Sequence, residues 1–245
     1  MPQAYRLLSN DLCNNAFSIK NSLAAVSVAV LLAACGSGSS DYSLRLTGVA
    51  ATGLAIDGGT VDVQCKSGTG EATTNSAGVY TVNVVNGEGP CLVTVSKGDF
   101  ILRSIAQPDA NGQAVANVTP ITSAIVEAIA AAKGVSVTDL TGTQAPSAAD
   151  ISAAATQVVT VLNNALTAAN WTGPALTAAQ LLSDPTFTAA TNANPNAGSV
   201  LDQAMDLLIP AGSTSLPSDI IDDINTVIDD VVQPNPTGGT GGNTI

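Results

Sequence analysis

The chain has 245 residues, a formal net charge of −12, no histidine, and 45% hydrophobic residues but only 3% aromatics. A surface this acidic repels nucleic-acid phosphates and anionic lipid headgroups, which excludes DNA and RNA as partners. The missing His removes Ser-His-Asp and Cys-His triads and zinc sites that need imidazole, and no Gly-x-x-x-x-Gly-Lys-Ser/Thr loop is present to cradle a nucleotide.

The first element in the chain is an apolar run from Leu23 to Ala34, in which Ser27 is the one polar residue and no charge occurs. A transmembrane helix needs about 20 such residues, whereas about a dozen suits the core of a signal peptide. Arg6 and Lys20 precede it, and the small residues Ala33 and Ala34 stand where a signal peptidase cuts. The run ends in Gly36-Ser37-Gly38-Ser39-Ser40, a sequence that a packed helix would not choose.

Leu32-Ala33-Ala34-Cys35 resembles the lipobox of bacterial lipoproteins at all four positions. The resemblance implies that residues 1–34 are a removed signal peptide and that the Cys35 thiol carries a diacylglycerol. It also implies that the new amino terminus is acylated and that 35–43 is a lipidated, flexible spacer. Three acyl chains bury methylenes at ~0.8 kcal/mol each, so such a tether would be effectively permanent. Gly36 stands where an Asp would retain a family member at the inner membrane, so the resemblance favours the outer membrane, facing the periplasm or the surface. The leader is longer than usual and includes Cys13, which has no assignable role; a start near residue 20 would account for both.

From Leu44 to Ile105 the period is two. Leu44 and Leu46 alternate with Arg45 and Thr47; Val61, Val63 and Cys65 with Asp62 and Gln64; Tyr80, Val82 and Val84 with Thr81 and Asn83. Cys91–Val95 and Phe100–Ile105 complete the pattern, with Gly/Asn/Asp turns between and Lys97-Gly98-Asp99 as a hairpin tip. Short strands at this spacing predict an antiparallel sandwich over 44–106.

Within that stretch, Gly59-Thr60-Val61-Asp62-Val63, followed by Ala72-Thr73-Thr74-Asn75-Ser76-Ala77-Gly78-Val79-Tyr80, is similar to the carboxypeptidase regulatory-like domain. The resemblance implies a prealbumin-like, immunoglobulin-class β-sandwich, and family members are usually non-catalytic modules for stability, contact or display. With Cys13 in the leader and Cys35 lipidated, Cys65 and Cys91 remain. In an exported protein such a pair reads as a disulfide, the alternative being two buried thiols. The bridge would join either neighbouring strands or the two sheets.

After a polar loop at 107–112 the period changes to that of a helix. Thr119-Pro120 is a cap and first turn, with Ile121, Ile125 and Ile129 in one row and a stop at Lys133-Gly134. Ser147-Ala148-Ala149-Asp150 is a capping box opening a helix to about Asn170, with Ile151, Ala154, Ala155, Val158, Leu162, Ala165 and Leu166 on one face. Thr177–Leu182 predicts a short helix. Ser199 opens another, closed by Pro210, and Ser218 caps the last, with Ile221, Ile224, Ile228 and Val231 inward. An Ala-rich helical bundle over 107–233 follows, and 234–245, built of Pro, Gly, Asn and Thr, is expected to be a disordered tail. The fold class is therefore α+β: an N-terminal Ig/prealbumin-like sandwich followed by helices.

Few residues carry chemistry. Asp222-Asp223 and Asp229-Asp230 lie along a straight helix, which cannot converge six or more oxygens on calcium, and Asp109-Ala110-Asn111-Gly112 lacks the spacing and closing Glu of a calcium loop. These read as solvated surface, and no metal or cofactor is expected. Trp171 either staples a helix end onto the bundle or stacks on a ligand. The expectation is a non-enzymatic, lipid-anchored envelope protein acting as a structural or interaction module, with the membrane (through Cys35) and an envelope protein or glycan as partners. The alternative is a small-molecule or glycan-binding lipoprotein using a cleft between sandwich and helices.

Overall fold

The computed structural model describes residues 42–210 and 213–232. The signal run, Cys13, Cys35, most of the spacer and the 234–245 tail lie outside them. The period-two stretches form strands β1 (Tyr42–Val49), β2 (Thr60–Ser67), β3 (Thr69–Thr73), β4 (Val79–Val85), β5 (Glu88–Lys97), β6 (Phe100–Ala106) and β7 (Gln113–Val115). Helices follow: α1 (Pro120–Lys133), α2 (Ala148–Ala168), α3 (Ala178–Leu182), α4 (Val200–Leu208) and α5 (Ser218–Asp229), with a 3₁₀ turn at Val137–Thr141. The fold is mixed α+β, two sheets with helices after them.

One sheet has the order β4-β1-β7 and the other β3-β2-β5-β6. Alternation puts Leu44 and Leu46, Val61 and Val63, Tyr80, Val82 and Val84, and Val93 and Val95 into one buried layer between them. The β5–β6 hairpin closes at Gly98 (φ 59), with Lys97 opposite Phe100, where the sequence places the tip.

Not every strand is antiparallel. β7 runs parallel to β1 and lies beyond residue 106. Asp109 produces this: its Oδ1 accepts from the backbone N–H of Asn111 and of Gln113, both at 2.8 Å, and folds 109–113 tightly enough to bring Gln113–Val115 alongside β1. Those two N–H groups hold the Asp109 carboxyl below its ordinary range.

The helices cover the outer face of the four-stranded sheet. Leu92 and Ile105, which point away from the sandwich interior, join Ile121, Ile125 and Ile129 of α1 and the inward faces of α2 and α5 in a second core. α1 is fastened to β6 at its first turn, where Thr122 Oγ1 donates to the Arg103 carbonyl and Ser123 Oγ accepts from the Arg103 N–H, each at 2.7 Å. Two of the sequence-read caps are present: Thr119 with Thr122 on α1, and Ser147 with Asp150 on α2. α5 departs from expectation. Its cap is Pro217 and Ser218 is the first helical residue; the buried row is Ile220, Ile224, Ile228 and Val232, with Ile221 and Val231 flanking it.

Candidate functional site

Cys65 and Cys91 are bonded to each other, and they stand directly opposite on neighbouring strands β2 and β5. The Cys65 N–H points away from β5 and donates to the Gly68 carbonyl at 3.1 Å, so the two cysteines occupy a non-hydrogen-bonded pair, where strands approach most closely. Their Cα atoms are 3.8 Å apart and both side chains are buried.

Trp171 packs against the helical core, and its Nε1 donates to the Pro174 carbonyl at 3.0 Å. Its amide donates to the Leu166 carbonyl at 2.9 Å, closing the end of α2. Its ring also rests on Gly173, where a Cβ would meet it. It lines none of the grooves described below.

The carboxyl groups whose pKa burial raises are on α4, which reads in sequence as an ordinary amphipathic helix. Asp202 and Asp206 lie one turn apart. Asp202 is fully buried; its Oδ2 accepts from the Ala190 N–H at 2.9 Å, while its Oδ1 has no hydrogen-bond partner and neither has the buried Ser199 Oγ. The Ser199-x-x-Asp202 spacing reads as a capping box, but the carboxylate turns to Ala190 instead. That bond ties the segment between α3 and α4 to the helix, and the Ala190 carbonyl in turn accepts from the Ala55 N–H at 2.8 Å. Gly198 makes the arrangement possible, since any Cβ there would collide with the Asp202 carboxylate.

Burial pushes the Asp202 carboxyl up to about 6, with the Asp206 charge adding to the rise and the Ala190 N–H opposing it. The folded value lies above the unfolded one, so the stabilisation is fully present below about pH 4 and is lost as pH rises through about 6. The effect is on the order of 2 kcal/mol. The protein is therefore expected to unfold at higher denaturant at pH 4.5 than at pH 7.5, and Asp202→Asn to flatten this difference. An unchanged slope of stability against pH in that variant would exclude the assignment.

Asp206 faces a groove of about 430 Å³ between the loop after β1 and the end of α4, lined by Thr52, Gly53, Leu54, Met205, Ile209, Pro210, Ser213 and Thr214. Burial raises its carboxyl pKa as well. Gly53 has a φ of +93°, which disfavours any side chain there, and it lies close against the Asp206 carboxylate. Leu54, at 41% exposure, is one wall. A second groove, of about 490 Å³, runs between the β6 edge (Phe100–Leu102), α1 and the start of α5, with Glu127 paired to Arg103 at 3.4 Å. Among the described residues no three potential metal ligands come together. Asp222, Asp223, Asp229 and Asp230 are exposed along α5.

Comparison of the chain with known protein families, with curated proteins and with solved structures finds no match.

Proposed function

We propose that this is an exported, lipid-anchored protein of the bacterial cell envelope, at the outer membrane, whose carboxypeptidase regulatory-like, prealbumin/Ig-type sandwich and helical layer form a non-catalytic structural or interaction module. The observation that carries the reading is the Cys65–Cys91 bridge, buried in the β2–β5 ladder. A bridge of this kind is kept in an oxidising compartment such as the periplasm and is lost to reductants in a cytosol. It agrees with the address implied by Leu32-Ala33-Ala34-Cys35, and β1 begins only a short spacer after that Cys.

The test is metabolic labelling with a fatty acid in a bacterial host. The native chain is expected to take up label and stay with membranes through a high-salt wash, and Cys35→Ser to take up none and to leave the membrane fraction. Label on Cys35→Ser would contradict the tether.

A second reading, a small-molecule or glycan-binding lipoprotein, is favoured by one observation. Both larger grooves lie where residues of the sandwich stretch meet residues of the helices.

A further inference from the structure

The groove beside Asp206 has a chemical bias. Its walls are Leu54, Met205, Ile209 and Pro210, and its charged group is a carboxylate with no hydrogen bond or ion pair among the described residues. No Lys or Arg lines the groove, and the chain contains none after Lys133, so α2, α4 and α5 carry acidic residues and no basic ones. Of the basic residues of the described chain, Lys66 pairs with Glu88, Arg103 with Glu127 and Lys97 with the Asp57 carbonyl, while Arg45 on β1 and Lys133 at the end of α1 do not line the groove.

We propose that this groove binds an organic cation carried on an apolar body, with Asp206 as the counter-charge and Leu54 and Ile209 as the walls for the apolar part. The proposal rests on the second reading above and names the ligand class. Its volume is in the range of small-ligand sites, a few hundred Å³. A partly desolvated carboxylate attracts a cation more strongly than a surface one, because the local dielectric is lower, and apolar area buried beside it adds to affinity without regard to direction. An anionic ligand would meet Asp206 directly and Asp202 one turn away. A neutral sugar would leave the carboxylate uncompensated. Partial burial raises the Asp206 carboxyl pKa, as expected of a group drawn part-way out of water.

The test compares octylammonium, octyl glucoside and octanoate, which share a tail and differ in head charge, by calorimetric titration of the full chain below micelle-forming concentrations. Octylammonium is expected to bind at least about tenfold more tightly than either of the others. Asp206→Asn should erase that preference, and Asp223→Asn, on the exposed face of α5, should keep it. Leu54→Ser should weaken the binding of octylammonium without changing the order of heads. Asp206→Asn removes an exposed group that makes no hydrogen bond, so its fold is expected to be intact, with thermal unfolding as the check. Equal binding of octylammonium and octyl glucoside, or an octylammonium affinity that Asp206→Asn leaves unchanged, would overturn the cation assignment while the binding reading stands. Failure of all three ligands to bind would overturn both.

Discussion

Replacing Cys65 and Cys91 together with alanine is expected to lower the unfolding free energy by about 3 kcal/mol. The bridge closes a chain segment with a sequence separation of 26, and the chain-entropy model gives about that figure for a loop of this length. The segment it closes includes β3 and β4, so the bridge constrains strands from both sheets in the unfolded state. Both cysteines are buried within the sandwich core, so the double alanine variant also leaves a space beside the Val63–Val93 pair that the surrounding layer cannot fully fill. In a domain of this size each kcal/mol corresponds to roughly 2–4 °C in melting temperature, so the expected loss is on the order of 10 °C. Urea unfolding with and without a reductant reads the same quantity on the native chain. A native chain whose midpoint did not move when the bridge was reduced would show that it contributes nothing to stability.

Gly48→Ala is expected to cost as much or more, about 3 kcal/mol, although no unusual backbone angle is involved. Gly48 lies on β1 opposite Tyr80 of β4, and the Ala116 carbonyl crosses it. A Cβ on residue 48 would collide with that carbonyl and stand 2.8 Å from the Tyr80 hydroxyl. The hydroxyl donates to the same Ala116 carbonyl, and Tyr80 is 2% exposed. Burial pushes the phenol up, so it remains a donor across the accessible pH range. Backbone is what the new methyl meets, and backbone in a paired sheet cannot step aside: the Ala116 N–H is bonded to the Thr47 carbonyl at 2.9 Å and the Val118 N–H to the Val49 carbonyl at 2.9 Å. The substitution must either spread β1 from the segment after β7 or break the Tyr80 bond in the core, and each is costly. Gly58→Ala is the control. Its φ of +67° strains any side chain, but nothing lies within 4 Å of the added methyl, so about 1 kcal/mol is expected. Equal losses at the two positions, measured by chemical denaturation, would mean that packing at Gly48 is not the cause.

The sequence was most legible where the determinant is local. The Thr119 cap is legible from the Pro that follows it, and the Ser147 capping box from the Asp three residues on. Alternation named the inward residues of β1, β2, β4 and β5 because each of these strands carries large apolar side chains on its buried face. β3 was hidden for the opposite reason. It runs so close to β4 that a Cβ at Gly70 would be 2.5 Å from Val82 Cγ1, so its inward positions hold only Gly70 and Ala72 and give no apolar period. β7 is three residues long and depends on an Asp109 turn that reads in isolation as a polar loop. The burial of Asp202 was illegible because the groups that enclose it, Ala190 and Gly198 on one segment with Ala55 behind, come together only through the fold. The pairing of Cys65 with Cys91 could be expected by elimination, but its geometry, one residue directly across from the other in adjacent strands, required the β2–β5 register.

The proposed tether is an acylated Cys35 ahead of a sandwich closed by the Cys65–Cys91 bridge. The most direct measurement is the intact mass of the chain extracted from bacterial membranes, taken before and after reduction. A mass beginning at Cys35, raised by a diacylglyceryl group and an amide-linked acyl chain, and increasing by a pair of hydrogens on reduction, is the predicted result. A chain that retains residues 1–34, or one that begins at Cys35 without lipid, would contradict the account.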